Sequence, residues 1–174
     1  MQSGTVAALA GRRIDAPDAP RVQFPLERLP QVRKALAEVF AAERVGMLVC
    51  SAACGADLAA LDVAHGAGIR CRVVLPFDAK RFRETSVVDR PGDWGPLYDR
   101  LMAQVELTTL EADGDPDRAY QMANERIIAE AKREGGSLAI IVWEGRPRSG
   151  GDATAQFRQL ALHAGMSERF IATS

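Results

Sequence analysis

Short apolar runs of strand length alternate with longer helical patterns along the whole of this 174-residue chain. The apolar runs cover residues 5–11, 45–51, 69–76, 105–111, 137–145 and 169–173. Because parallel neighbours need a crossover helix between them, such alternation predicts an α/β sandwich with a mostly parallel central sheet. In such sheets ligands bind beyond the carboxyl ends of the strands, where the strand order reverses.

The segments between these runs have the periodicity of amphipathic helices. In 29–45, apolar residues recur every three or four positions, which places them on one helix face. Similar helices are predicted over 55–68, 95–104, 117–135 and 153–165. The segment 77–94 is polar, and we expect a long connection there that has room for one helical turn.

Composition and charge exclude several classes of protein. The chain has 22 Lys and Arg against 23 Asp and Glu, so its net charge of −1 gives no basic footprint for nucleic acid or for a membrane surface. No apolar run approaches the length of about 20 residues that a membrane span needs. We expect one domain, 1–174, in the cytoplasm of a bacterium, because no secretion signal is visible.

The three cysteines, Cys50, Cys54 and Cys71, form no disulfide or metal pattern. Cys50 and Cys54 are three residues apart, but no His or Cys cluster completes a site. Cys50 and Cys71 fall in apolar strand runs and are expected to be small buried residues. No metal and no cofactor are predicted.

Three loops follow predicted strands and combine small residues with arginines. They are 11–13 ("GRR"), 51–57 ("SAACGAD") and 144–154 ("EGRPRSGGDAT"). The last two run into helices, whose first turns present unpaired N–H groups that attract anions. Four arginines in or beside these loops would add charge. Taken singly, the glycines are equally explained by close packing or a flexible turn, Asp57 by the helix dipole, and the arginines by solvation.

Tyr120 and Asn124 lie four residues apart in the predicted helix 117–135 and therefore share a face. There they would bound a ligand, with the Tyr120 ring stacking on a base. A half-buried tyrosine beside a surface asparagine explains the pair equally well.

These motifs resemble those of the SLOG superfamily, which includes the LONELY GUY phosphoribohydrolases, the lysine-decarboxylase-like proteins and the DNA-processing A proteins. "SAACGAD" resembles the first phosphate loop of that group, and "SGGDAT" (149–154) resembles its second Gly-rich loop. The resemblance extends over 5–172 and implies a Rossmann-like three-layer sandwich. Together with the loops, it predicts these ligand-binding residues: Gly11, Arg12, Ser51, Ala52, Cys54, Gly55, Asp57, Tyr120, Asn124, Gly150, Gly151 and Thr154.

The chain departs from the LONELY GUY pattern PGGxGTxxE at its catalytic end. Gly150, Gly151 and Thr154 match the pattern, but Ala153 replaces its third glycine and Phe157 replaces its catalytic glutamate. Because a phenyl ring cannot accept a proton, the resemblance favours a member without catalytic activity. The predicted function is binding of a nucleotide or nucleotide-derived ligand, as a sensor in bacterial signalling or defence.

Two alternatives stay open. The first is an N-glycosidic hydrolase that uses a different carboxylate, for which Glu84, Glu144 and Asp152 are candidates. The second is a protein-interaction module with a vestigial pocket. The apolar stripe of 117–135 is also a candidate homodimer surface, although core packing explains it as well.

Overall fold

The computed structural model describes residues 4–174, and within that range six strands form one parallel sheet. They are β1 (Thr5–Gly11), β2 (Val45–Cys50), β3 (Arg70–Leu75), β4 (Glu106–Thr109), β5 (Leu138–Trp143) and β6 (Ser167–Ala172). Every neighbouring pair runs parallel, in the order β4-β3-β2-β1-β5-β6. The predicted α/β architecture is confirmed.

Six α-helices cover the sheet within the described residues. They are α1 (Leu29–Ala42), α2 (Ala56–Gly66), α3 (Ala79–Ser86), α4 (Trp94–Met102), α5 (Pro116–Arg133) and α6 (Ala153–His163). Among residues 4–174, no helix combines the length and the apolar character that crossing a membrane requires.

Two cores lie on opposite faces of the sheet, because side chains alternate along each strand. In β1, Ala7 and Leu9 belong to the core that contains the buried residues of α1, α2 and α4. Ala8 belongs to the core beneath α5 and α6. The central strand β5 is buried at every position from Leu138 to Trp143.

The order of the strands reverses beside β1. The chain builds β1, β2, β3 and β4 outward in one direction and then returns to place β5 on the other side of β1. The loops after β1 and β5 therefore diverge at the carboxyl edge of the sheet and leave a crevice between them.

The segment 77–94 differs from the expectation of a polar connection. It contains α3, a helix of eight residues that begins where the Asp78 side chain accepts a hydrogen bond from the N–H of Arg81 at 3.0 Å. Phe82 is fully buried beneath this helix and packs against Tyr98, with ring centroids 6.3 Å apart. Phe82 alone anchors the helix, and one buried apolar residue is too few to produce a helical period in the sequence.

The apolar stripe of 117–135 packs inside the chain itself. Ala123, Ile127 and Ala131 are buried in the core between α5 and the sheet, and Ala119 is buried beside the other core. Core packing therefore accounts for the stripe, and a homodimer through it stays a prediction.

Candidate functional site

A crevice of about 490 Å³ lies at the carboxyl edge of the sheet, where the strand order reverses between β1 and β5. This volume is within the range of sites that hold small molecules. Its lining comes from the end of β1 and the loop after it, the connection between α3 and α4, the start of α5, the loop that leads into α6, and the start of α6. The lining residues are Gly11, Arg12, Arg13, Ile14, Asp15, Ala16, Asp18, Ala19, Pro20, Gln23, Arg90, Asp117, Tyr120, Gln121, Arg148, Gly151, Asp152, Ala153 and Thr154.

One wall of the crevice is the loop that follows β1, which is fixed by a single carboxylate. Asp15 accepts hydrogen bonds from the backbone N–H groups of Gln23 and Phe24, both at 3.0 Å. The N–H of Asp15 in turn donates to the carbonyl of Phe24 at 2.9 Å, and the ring of Phe24 is fully buried. The wall is therefore held in place by backbone pairing and a core anchor.

The opposite wall is the N-terminus of α6. Asp152 caps the helix by accepting a hydrogen bond from the N–H of Ala155 at 3.0 Å. The preceding Gly151 faces α5, where a Cβ on this glycine would lie 2.9 Å from a carboxylate oxygen of Asp117. Thr154 is buried in the first turn and also lines the crevice. The positive end of the helix dipole thus borders the open space.

Arg12 joins the two walls and is itself almost fully buried, with 3% of its surface exposed. Its guanidinium makes a bidentate pair with Glu144, at 2.8 and 2.9 Å, and a second with Asp152, at 2.7 and 3.0 Å. It also donates to the carbonyl of Arg146 at 2.8 Å and lies 5.5 Å from the Trp143 ring centroid.

This network favours the charged forms of Arg12 and Asp152. Burial lowers the pKa of Arg12, but the hydrogen bonds to Glu144 and Asp152 raise it above its ordinary value. Burial raises the pKa of Asp152, but donors from Arg12 and from the backbone of Arg148 and Ala155 bring it below its usual range. Arg12 lines the crevice, yet its charge is already matched by carboxylates of the protein.

Four arginines and four aspartates line the crevice, and three of the arginines are already paired with carboxylates. Arg13 and Arg90 both pair with one carboxylate, that of Asp89. Arg148 is exposed, and within residues 4–174 its side chain forms no ion pair, only a long contact of 3.4 Å to the carbonyl of Gly151. Arg148 is therefore the cation most available to an incoming anion.

The first small-residue loop does not open onto this crevice. Gly55 has a φ of 103°, and a Cβ there would lie 2.7 Å from the Arg12 carbonyl oxygen and 2.9 Å from the Arg13 Cα. The N–H of Ala56 donates to the Arg12 carbonyl, and that of Cys54 donates to the carbonyl of Ser86. These two N–H groups at the start of α2 are thus occupied by carbonyls of the protein itself, and the phosphate loop expected there stays a prediction.

Gly11 also permits the close approach of the β1 loop to the start of α2, from the β1 side. A Cβ on Gly11 would lie 2.5 Å from the Cβ of Ala56 and 2.4 Å from the carbonyl oxygen of Val142. Small residues at Gly11, Gly55 and Ala56 therefore let β1 and its loop pack directly on the N-terminus of α2.

Asp57 is buried behind this contact, with 8% of its surface exposed. Its carboxylate accepts a hydrogen bond from the N–H of Ala53 at 3.2 Å. Burial raises the pKa of Asp57 to about 7, although the Ala53 N–H and the charge of Arg13 act in the opposite direction. Asp57 therefore lies in the interior of the fold and does not line the crevice.

The structure separates Tyr120 from Asn124. Tyr120 lines the crevice, where its hydroxyl is hydrogen-bonded to Ser86 and its ring meets the Phe77 ring edge-on. Asn124 is 8% exposed, and its amide donates to the carbonyl of Ala153 at 2.8 Å and to Gln156 at 2.7 Å. Asn124 thus fastens α5 to the start of α6 and takes no part in the lining.

The predicted site residues fall into two groups. Five of them line the crevice: Gly11, Arg12, Tyr120, Gly151 and Thr154. The others lie outside that lining: Ser51, Ala52, Cys54, Gly55, Asp57, Asn124 and Gly150. The sequence interpretation missed Asp117, Gln121 and the loop 15–23. The only indication of Asp117 and Gln121 in the sequence was that they lie close to Tyr120. Asp117 is three residues before Tyr120, and Gln121 is the residue after it.

Solved structures share this fold. The chain aligns with DNA processing protein A (DprA) from Streptococcus pneumoniae at a TM-score of 0.61 and 16% identity, over 98% of this chain and 51% of that one. It aligns with the structural-genomics protein TM1055 at a TM-score of 0.53 and 13% identity, over 94% and 72%. The chain thus spans about half the length of DprA. No family model and no curated protein matches the sequence.

The fold is thus shared with DprA and TM1055. The parallel sheet covered by helices is the Rossmann-like architecture that the motif resemblance predicts. Phe157, which the motif comparison matches to the LONELY GUY glutamate, is fully buried in the core under α6. Of the alternative carboxylates, Glu144 and Asp152 are bound to Arg12, and Glu84 is exposed outside the crevice lining.

Proposed function

We propose that the chain is a SLOG-type domain that binds a nucleotide or nucleotide-derived ligand in the crevice between the β1 loop and α6, and that it acts as a sensor. The observation that carries the proposal is the meeting of the α6 N-terminus with Arg148 in one crevice of about 490 Å³ at the switch point of the sheet. A phosphate there would accept hydrogen bonds from the helix amides and from the guanidinium.

The remaining lining suits the rest of a nucleotide. Tyr120 presents a partly buried ring whose hydroxyl is fixed by Ser86, so the ring is pre-oriented for a base or sugar. Asp117 and Gln121 stand on the same helix and offer groups that accept hydrogen bonds from ribose hydroxyls.

Replacement of Arg148 by glutamine is expected to weaken nucleotide binding by roughly tenfold to a hundredfold, since a hydrogen bond to a charged group contributes about 1.5–3 kcal/mol. The side chain is exposed, and its backbone N–H bond to Asp152 is unaffected by the change. Isothermal titration calorimetry with a panel of nucleoside monophosphates measures the effect.

The matched control is Lys132→Gln. Lys132 is exposed in the last turn of α5, whereas the crevice borders the first turns of that helix. This variant removes one positive charge from the chain without touching the crevice, so its affinity should equal that of the wild type. A wild-type chain that binds no nucleotide, or equal affinities in the two variants, contradicts the proposed function.

A second candidate function, N-glycosidic hydrolysis, is favoured by Asp117. Its carboxylate lines the crevice beside Gly151, and it forms no ion pair in the described part of the chain. It is therefore better placed as a general acid or base than Glu144 or Asp152, which Arg12 holds.

The two functions predict different results with adenosine monophosphate. A hydrolase releases free adenine, detected by chromatography, and Asp117→Asn abolishes the release because an amide neither gives nor takes the proton. A sensor binds the nucleotide and returns it intact in both forms. Release that persists in Asp117→Asn rules out this carboxylate as the catalytic group.

A further inference from the structure

A second, smaller crevice of about 350 Å³ adjoins the first. It is lined by residues of the β1 loop and of the loop after β5: Arg21, Val22, Gln23, Glu144, Arg146, Pro147 and Arg148. Gln23 and Arg148 line both crevices, so the two spaces are neighbours with Arg148 at their boundary.

Positive charge dominates this second crevice. Arg21, Arg146 and Arg148 are exposed, and none of the three forms an ion pair within residues 4–174. The one carboxylate in the lining, Glu144, is paired with the buried guanidinium of Arg12 at 2.8 Å. Three arginines therefore line a space whose one carboxylate is already paired with another arginine.

This concentration is unusual for the chain. Most of its arginines pair with carboxylates, as Arg70 does with Glu106 and Arg83 with Asp99. Counting residues 4–174 only, half of the arginines without an ion pair border this one crevice; the rest, Arg28, Arg44 and Arg81, lie outside its lining.

We infer that the second crevice is a subsite for a further phosphate group, so that the ligand is a nucleotide with a diphosphate or longer phosphate chain. This inference rests on the proposed function, because the nucleoside end and the first phosphate occupy the larger crevice. The next phosphate of the chain passes Arg148 and meets Arg21 and Arg146, whose planar guanidinium groups match phosphate oxygens in pairs.

Calorimetric titration of adenosine mono- and diphosphate in metal-free buffer tests the inference. The wild type should bind the diphosphate roughly tenfold more tightly than the monophosphate, the gain expected of one added set of charge-assisted hydrogen bonds. The double variant Arg21→Gln/Arg146→Gln should lose that gain while its affinity for the monophosphate stays unchanged. Lys132→Gln should behave as the wild type.

The outcomes separate the subsite from the proposed function. Equal affinities of the wild type for the two nucleotides overturn the subsite and leave nucleotide binding intact. A further outcome is that inorganic pyrophosphate is bound only when Arg21 and Arg146 are present, while adenosine monophosphate is not bound at all. That result supports an anion subsite and overturns the proposal that the larger crevice binds a nucleoside. A single-stranded oligonucleotide that binds more tightly than the diphosphate, through the same arginines, overturns the small-molecule assignment.

Discussion

Replacing Arg12 with methionine should lower the free energy of unfolding by about 3–5 kcal/mol. The change removes a guanidinium that is 97% buried and leaves Glu144 and Asp152 adjacent, each with at most 10% of its side chain exposed. Both carboxylates would lose their counter-charge, and Asp152 would keep only the backbone N–H groups of Arg148 and Ala155 as donors. Since small proteins have about 5–15 kcal/mol of stability in all, the loss is a large fraction of it.

Urea denaturation followed by circular dichroism measures this loss. Arg12→Lys keeps the charge but cannot form two bidentate pairs, so it should lie between the wild type and Arg12→Met. The triple variant R12M/E144Q/D152N tests the cause, because it removes the unpaired charges together with their partner. Its stability should recover most of the difference. A loss below about 1 kcal/mol in Arg12→Met, or no recovery in the triple variant, contradicts the account.

This network also shows what a sequence leaves hidden. Arg12 was expected to approach a phosphate, because an arginine directly after a strand stands at the edge where ligands bind. Its partners Glu144 and Asp152 are 132 and 140 residues away along the chain. Only the placement of β5 beside β1 brings these carboxylates to Arg12. Local spacing predicts where an arginine lies in the fold but does not indicate which charges compensate it.

The fold was predictable because its information is local and periodic. Each strand run and each helical stripe has its own pattern, and alternation of the two leaves few arrangements. The helix α3 escaped because one buried ring, Phe82, anchors it. At the site, the start of α6 lies at the crevice. The start of α2 lies outside the crevice lining. The sequence could not predict this, because nothing in the segment 51–57 indicates whether its small side chains leave open space or allow another backbone segment to pack there.

Gly55 illustrates that ambiguity. Its positive φ and its short distance to the Arg12 carbonyl account for the glycine without any ligand. A substitution such as Gly55→Glu would therefore act on packing between β1 and α2, and loss of binding in such a variant would be no evidence for a phosphate at that position. Variants of the exposed Arg148 are free of this confusion.

Replacement of Asp57 by asparagine should raise the free energy of unfolding relative to that of the wild type, and this gain should be larger at alkaline pH than at acid pH. Burial raises the pKa of Asp57 from 3.8 to about 7 in the folded chain. Between these two values the unfolded chain gains a charge at this residue while the folded chain keeps the proton, so ionisation stabilises only the unfolded state. The difference corresponds to about 4 kcal/mol, lost by the wild type as the pH rises from 4 to above 7.

The quantity to measure is the free energy of unfolding of Asp57→Asn minus that of the wild type, at several values between pH 4 and pH 8. An asparagine oxygen still accepts the bond from the Ala53 N–H, and the amide does not ionise. The constant cost of repacking the amide cancels when the differences at two pH values are compared. The variant should therefore gain about 4 kcal/mol on the wild type across the range.

Asp113→Asn, at an exposed turn before α5, controls for the same chemical change away from the core. If the Asp57→Asn difference stays constant from pH 4 to pH 8, then Asp57 ionises alike in the folded and unfolded chains. If it changes in the opposite direction, the carboxylate is stabilised in the fold, which would mean that the Ala53 N–H and Arg13 outweigh burial at the start of α2. Either result would contradict the conclusion that burial behind the contact between the β1 loop and α2 raises the pKa of Asp57.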